Sequence, residues 1–136
     1  MAEPSAPLET APTPGPVVIL IEDAPEIRRF LRATLIGHGY RLVEAETGRE
    51  GLQAAETRQP DLIILDLGLP DIDGLEVIRR LVGSARQHLA AGGWLIIEFG
   101  FGQEAAVREA ARAAGWNVAR IRSDLQGIPR VAVLRT

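Results

Sequence analysis

Three carboxylates stand where they could act together on one substrate. Glu22 and Asp23 follow the apolar run Val17–Ile21, and Asp66 follows another such run, Leu62–Leu65. In an open α/β sheet, ligands bind outside the carboxyl ends of neighbouring strands. Carboxylate oxygens gathered there suit Mg²⁺, and an aspartate beside that metal could attack a phosphoryl donor. The alternative is that these are solvated carboxylates that begin turns, a common place for Asp.

The elements that would position these carboxylates alternate along the chain. Short apolar runs rich in β-branched residues are typical of strands buried on both faces of a parallel sheet. Amphipathic segments separate them, the first beginning at Pro25 and ending at Gly37-His38-Gly39. The alternation predicts a doubly wound α/β fold with a mainly parallel sheet and right-handed crossovers. We predict strands over 17–21, 40–45, 62–65, 94–97, 116–121 and 131–134, and helices over 25–37, 48–58, about 75–89 and 103–114.

Composition limits the classes of function. The 136 residues are enough for one domain and carry a net charge of −3, so charge gives no reason to expect nucleic acid or membrane as a partner. Cys is absent, which excludes thiolate chemistry and fits a cytoplasmic protein. Lys is absent too, so every basic side chain other than the two histidines is Arg. Residues 1–16 are rich in Pro and predict a disordered or polyproline-like tail, with docking onto the domain as the alternative.

The first half of the sequence resembles the receiver domain of two-component response regulators, in particular the regulators of potassium-transport operons. The motifs are "LIEDAPEIRRFL" and, at a suitable distance, "LIILDLGLPDIDG". The resemblance implies that Glu22 and Asp23 hold Mg²⁺, that Asp66 is the phospho-acceptor and that the carbonyl of Gly68 completes the metal shell. Pro70 and Gly74 match the loop that follows the acceptor in that family.

Two other features of that family are missing. Receivers place a Thr or Ser at the end of the fourth strand and a Lys at the end of the fifth, where both groups contact the phosphoryl group. Here Glu98 stands near the hydroxyl position, and Arg122 keeps a charge without the compact ammonium. Glu98 would add a fourth carboxylate and repel an incoming phosphoryl group.

The second half resembles the C-terminal part of release-factor glutamine methyltransferases, in "ARQHLAAGGWLIIEFGFGQ" and "RSDLQGIPRVAVLR". That resemblance implies an antiparallel last strand inserted between the two before it, giving the order 2-1-3-4-6-5 in a flavodoxin-like/Rossmann-like hybrid. We expect one domain over 17–136, receiver-like over 17–73 and methyltransferase-like over 74–136, with the join near 71–75.

No cofactor site is predicted from the second half. The Gly-rich loop and the Asn-Pro-Pro-Tyr motif that bind S-adenosylmethionine in that methyltransferase family are absent, so no catalytic residue is carried over and no binding of that cofactor is expected. The pattern from Gly100 to Ala105 formally matches a dinucleotide-binding turn, but it follows the fourth strand and has the character of an ordinary turn.

Three functions compete on these observations. The first is a chimeric or engineered scaffold that is not an enzyme and has no intact parental activity, and that keeps an acidic pocket able to bind Mg²⁺ weakly. The second is a natural degenerate receiver with Asp66 as phospho-acceptor in a phosphorelay. The third is an enzyme related to the methyltransferases. The two meeting resemblances favour the first.

Overall fold

The structure of this protein is a computed structural model that describes residues 15–66, 76, 79–80, 89 and 92–135. Residues 1–14 of the predicted tail and most of the helix predicted over 75–89 lie outside these ranges. Glu76, Arg79 and Arg80 are helical, as predicted, whereas Leu89 lies in a bend. The helix therefore does not extend to Leu89, although Leu89 is buried.

The described elements follow the predicted alternation. Helix α1 begins with Pro25 in its first turn, and the chain leaves it through Gly39, whose φ of 87° is unfavourable for other residues. Thr47 caps α2 by accepting a hydrogen bond from the backbone N–H of Glu50. The elements are β1 (Val17–Ile21), α1 (Pro25–Gly37), β2 (Arg41–Ala45), α2 (Gly48–Thr57), β3 (Leu62–Asp66), β4 (Trp94–Glu98), α3 (Glu104–Ala113), β5 (Asn117–Ser123) and β6 (Pro129–Arg135).

The six strands form one sheet in the order β2-β1-β3-β4-β6-β5, which confirms the predicted order. Strands β1 to β4 pair in parallel, and β6 runs antiparallel to both β4 and β5. The carboxyl ends of β1, β3 and β4 therefore meet at one edge. None of the described helices has the length and apolar character needed to cross a membrane.

The main core lies on one face of the sheet. Ile19 and Ile21 on β1 pack there with Ala55 of α2 and Val107 and Ala111 of α3, all nearly inaccessible to solvent. Because side chains alternate along a strand, Val18 and Leu20 point to the opposite face. Both are fully buried but stand outside this cluster.

Helix α1 lies on that opposite face. The connection from β1 to β2 crosses the sheet in one direction, whereas the connections made by α2 and α3 cross it in the other. Because crossovers are right-handed, helices in connections of opposite direction lie on opposite faces of the sheet. Arg32 of α1 confirms this side, since its guanidinium bonds Glu44, which pairs in register with Leu20.

Candidate metal and phosphoryl site

The three predicted carboxylates come together at the carboxyl edge of the sheet. One carboxylate oxygen from each of Glu22, Asp23 and Asp66 lies within 4.8 Å of the others. Glu22 and Asp23 follow β1, and Asp66 ends the neighbouring strand β3. Oxygens this close can be drawn into one octahedral shell by a small movement, and an all-carboxylate donor set is one that Mg²⁺ accepts.

Glu22 is the buried member of the cluster. Its residue is 3% exposed, and its backbone N–H donates to the carbonyl of Ala45. Its Oε1 accepts a hydrogen bond of 3.1 Å from the backbone N–H of Ala24. Burial is the main cause that raises the pKa of Glu22 from 4.5 to about 7; the Ala24 hydrogen bond opposes it, and the neighbouring carboxyl groups of Asp66 and Asp23 add to it. Near neutral pH the carboxyl group of Glu22 is therefore either protonated or ionised, and when it is ionised the pocket carries an excess of negative charge.

Glu98 extends the acidic edge, as the sequence predicted. It ends β4 directly beside Asp66, its register partner on β3. Although much of Glu98 is exposed, partial loss of hydration raises the pKa of its carboxyl group, and the charge of Asp66 raises it further. The residue at the end of β4 thus brings negative charge toward Asp66 where a receiver would offer a hydroxyl.

Arg130 is a cationic residue near this edge that the sequence interpretation did not single out, and Arg28, whose Nη1 donates to the carbonyl of Glu22 at 3.2 Å, is another. The positive charge of Arg130 lowers the pKa of Glu98, opposing the burial and Asp66 effects. Its Nε also donates to Asp124 Oδ2 at 3.1 Å. Because β6 is adjacent and antiparallel to β4, the first residues of β6 lie at the edge where β4 ends. The predicted insertion of the last strand was therefore the signal that could have identified Arg130.

Arg122, named from the sequence as the residue nearest the missing Lys, lies one strand further away. Val131 of β6 pairs with Glu98 on one side and with Arg122 on the other. The antiparallel strand thus separates β5 from β4, where an all-parallel sheet would place them side by side. Gly68, Pro70 and Gly74, assigned by resemblance, lie outside the described residues.

The glycines at positions 100 and 102 form a turn of the expected ordinary kind. The backbone N–H of Gly100 donates to Gln103 Oε1 at 2.7 Å, and Gly102 has a φ of 80°. The backbone N–H of Gly100, which a bound phosphate would need as a donor, is therefore already bonded to the side chain of Gln103.

The fold and this acidic edge agree with the protein family that the sequence matches. The model of the response regulator receiver domain matches residues 18–116, so the chain belongs to the response regulator receiver family. A similar curated protein is the KDP operon transcriptional regulatory protein KdpE of Escherichia coli, 62% identical over 64 residues. The match covers 47% of this chain and 28% of that regulator, so the chain corresponds to less than a third of it.

Solved structures of two kinds share the fold. A receiver domain of sensor histidine kinase PA1611 from Pseudomonas aeruginosa, solved with magnesium in its active-site cleft, is 26% identical, with a TM-score of 0.56 over 74% of this chain and 80% of that one. A release factor-specific protein-(glutamine-N5) methyltransferase from Alicyclobacillus acidocaldarius has a TM-score of 0.66 over 94% of this chain and 83% of that one. At 23% sequence identity, this structural similarity shows a shared fold and no more.

Proposed function

We propose that this chain is a chimeric or engineered α/β scaffold, without enzymatic activity, in which a receiver pocket survives as a weak site for a divalent cation. The observation that carries the proposal is the edge formed by Glu22, Asp23, Asp66 and Glu98. Three of these carboxylates fit a Mg²⁺ shell, and the fourth replaces the group that would receive a phosphoryl oxygen. The magnesium-bound receiver of Pseudomonas aeruginosa supports the cation assignment.

The lack of a phosphorylation switch follows from the groups around Asp66. A phosphoryl group there would meet the charge of Glu98, and the sequence has no Lys to bind it. A ligand shifts a conformational equilibrium only if it binds the two states differently. Without a hydroxyl or an ammonium that moves onto the phosphoryl group, phosphorylation has no such differential contact through these positions.

The natural degenerate receiver is the second candidate. The family match over residues 18–116 and the identity to the Escherichia coli regulator favour it. In that case a carboxylate oxygen of Asp66 attacks the phosphorus of a donor such as acetyl phosphate, acetate leaves, and an acyl phosphate forms. S-Adenosylmethionine has no part in either candidate, because the sequence lacks both motifs that bind it.

Mg²⁺ titration with and without acetyl phosphate separates the two candidates. We expect Mg²⁺ to raise the Tm by a few degrees, since a native-state ligand at ten times its Kd contributes about 1.4 kcal/mol. Asp66→Asn should abolish this increase, whereas Glu109→Gln, which removes a carboxylate from the exposed side of α3, should keep it. Intact mass should show no durable product of about +80 Da, the mass of one phosphoryl group.

Two outcomes would reject the scaffold proposal. A stable phosphorylated species that disappears in Asp66→Asn would assign the chain to the second candidate. Mg²⁺-dependent stabilisation that survives in Asp66→Asn would place the cation elsewhere and remove the proposed site.

A further inference from the structure

Arg28 is a cation held against the backbone of the acidic site. It lies in the first turn of α1, where its backbone N–H donates to the carbonyl of Ala24 at 2.9 Å. Side chains of a helix tilt toward its N-terminus, and Nη1 of Arg28 reaches back to the carbonyl oxygen of Glu22 at 3.2 Å. Only 13% of the side chain is exposed, so this charge-assisted hydrogen bond is largely shielded from water. Arg28 therefore contacts the loop that carries two of the three carboxylates.

The hydrogen bond from Arg28 fixes the peptide unit that joins Glu22 to Asp23. A peptide bond is planar, so the carbonyl oxygen and the Cα atoms of both residues lie in one rigid plane. A donor that holds this oxygen therefore restricts the directions in which both side chains leave the backbone. Glu22 is held elsewhere too, because its backbone N–H donates to the carbonyl of Ala45 at 3.0 Å and its side chain is buried. Asp23 is only half-buried, so the fixed peptide contributes most where packing contributes least.

Two carboxylates at the end of β2 hold the guanidinium of Arg28 in its turn. Nη2 lies 3.2 Å from Glu46 Oε1, and Nε lies 3.6 Å from Glu44 Oε1. Glu46 is tied to the first turn of α2, because its backbone N–H donates to Glu50 Oε2 at 3.1 Å. The planar guanidinium thus bridges the loop after β1 and the turn after β2, which requires donors that point in several fixed directions.

We propose that Arg28 is a positioning residue for the cation site, acting on Glu22 and Asp23 through the peptide unit between them. This inference rests on the proposed function, because it assigns Arg28 a role toward the cation that binds there. Arg28 is itself positively charged, so its charge alone opposes the binding of Mg²⁺. Its two effects on Mg²⁺ affinity therefore have opposite signs. Loss of the charge would strengthen binding, whereas loss of the ordered peptide would weaken it.

Titration of the full chain with Mg²⁺, followed by heteronuclear NMR, measures that sign. Arg28→Gln should raise the Kd for Mg²⁺ about threefold to tenfold, the size expected for the net loss of one hydrogen bond. The Gln side chain is too short to reach the Glu22 carbonyl. Arg32→Gln is the matched control, because it removes the same charge from the same helix, and the guanidinium of Arg32 bonds Glu44 instead of the loop. This control should leave the Kd unchanged or lower it.

Hydrogen exchange of the Ala24 amide tests the same role without metal. That N–H donates to Glu22 Oε1, so it is protected only while the loop keeps its geometry. In chelator, Arg28→Gln should accelerate this exchange at least about threefold relative to the amides of β1, whereas Arg32→Gln should not. The comparison with β1 separates opening of the loop from a fall in the stability of the whole domain.

Several results would overturn the role of Arg28. A Kd for Mg²⁺ that Arg28→Gln leaves unchanged or lowers would do so, as would equal increases in Arg28→Gln and Arg32→Gln. Unchanged exchange of the Ala24 amide in Arg28→Gln would also reject it. If the wild type binds no Mg²⁺, the proposed function fails, and the exchange rate of Ala24 then decides by itself whether Arg28 orders the loop.

Discussion

Glu22 shows how one buried side chain links protonation to the stability of the fold. Its pKa is raised in the folded state from an ordinary 4.5 to about 7, chiefly by burial. The folded state therefore holds the proton more tightly than the unfolded state does. The stabilisation from that proton is complete below about pH 4.5 and is lost as the pH rises through about 7.

Replacing Glu22 by Gln should remove most of this pH dependence. In chelator, Glu22→Gln should match the wild type near pH 4.5 and exceed it at pH 8, by at most about 3 kcal/mol. Urea unfolding at a series of pH values measures the difference. The surface variant Glu109→Gln should follow the wild-type curve, and a Glu22→Gln variant that is less stable than the wild type at pH 8 would contradict the argument.

Glu98 offers a second test at the scale of one residue. Its charge opposes that of an incoming phosphoryl group at Asp66, so Glu98→Gln should accelerate any modification of Asp66 by acetyl phosphate. Intact mass during the first minutes of reaction with Mg²⁺ present measures the rate. Glu104→Gln, a carboxylate on α3 that bonds Arg108, serves as the control. An unchanged rate in Glu98→Gln would show that electrostatic repulsion from this side chain does not limit the reaction.

At the scale of elements, α2 depends on close approach to β1. A Cβ on Gly51 would clash with Cδ1 of Ile21, a fully buried side chain of the core. Gly37, at the end of α1, has nothing within 4 Å of the same atom. Two helical glycines therefore have opposite spatial constraints, which reflect the buried position of α2 and the exposed position of α1.

The same substitution at these two glycines should have opposite effects. Gly51→Ala should destabilise the domain by about 1–3 kcal/mol through overpacking, despite the better helix propensity of Ala. Gly37→Ala should stabilise it by roughly 0.5–1 kcal/mol, because the unfolded chain loses freedom without a clash. Thermal unfolding of both variants at one protein concentration checks the pair. Equal effects would show that α2 can move away from β1 at little cost.

At the scale of the whole molecule, much of the fold could be predicted from the sequence. The run Val17–Ile21 is a strand with the predicted bounds, and the order with an inserted β6 is confirmed. These features follow from local apolar patterns and from two family resemblances. The exposure of α1 could not be predicted in this way, because its apolar spacing is that of a packed helix. Which helices share a face of the sheet depends on crossovers between distant segments.

The site was predictable to a similar extent. Strand-end position and spacing predicted that Glu22, Asp23 and Asp66 would meet, and they do. The effect of Arg130 on Glu98 was missed because it depends on β6 pairing with β4 across a long stretch of sequence. The precise join between the two halves stays a prediction, as does the proposed independence of the domain from its Pro-rich N-terminal segment.

That independence has a direct test. Removing residues 1–14 should leave the Tm nearly unchanged, because their composition offers little apolar surface to bury. Gly15 is kept, since its carbonyl accepts a hydrogen bond from Arg41 Nε. Calorimetry of the shortened and complete chains at equal concentration makes the comparison. A fall of several degrees, on the order of 1 kcal/mol, would show that this segment packs on the domain.

The interposed position of β6 also constrains how the protein can be made. Strand β5 joins the sheet only through β6, and β4 pairs with β6 on its outer side. A growing polypeptide on the ribosome therefore exposes an apolar strand edge at β4 until residues 129–135 have left the exit tunnel. During that interval the nascent chain is most open to pairing with other chains, so the delay before β6 can pair with β4 bears on how much of the protein escapes aggregation.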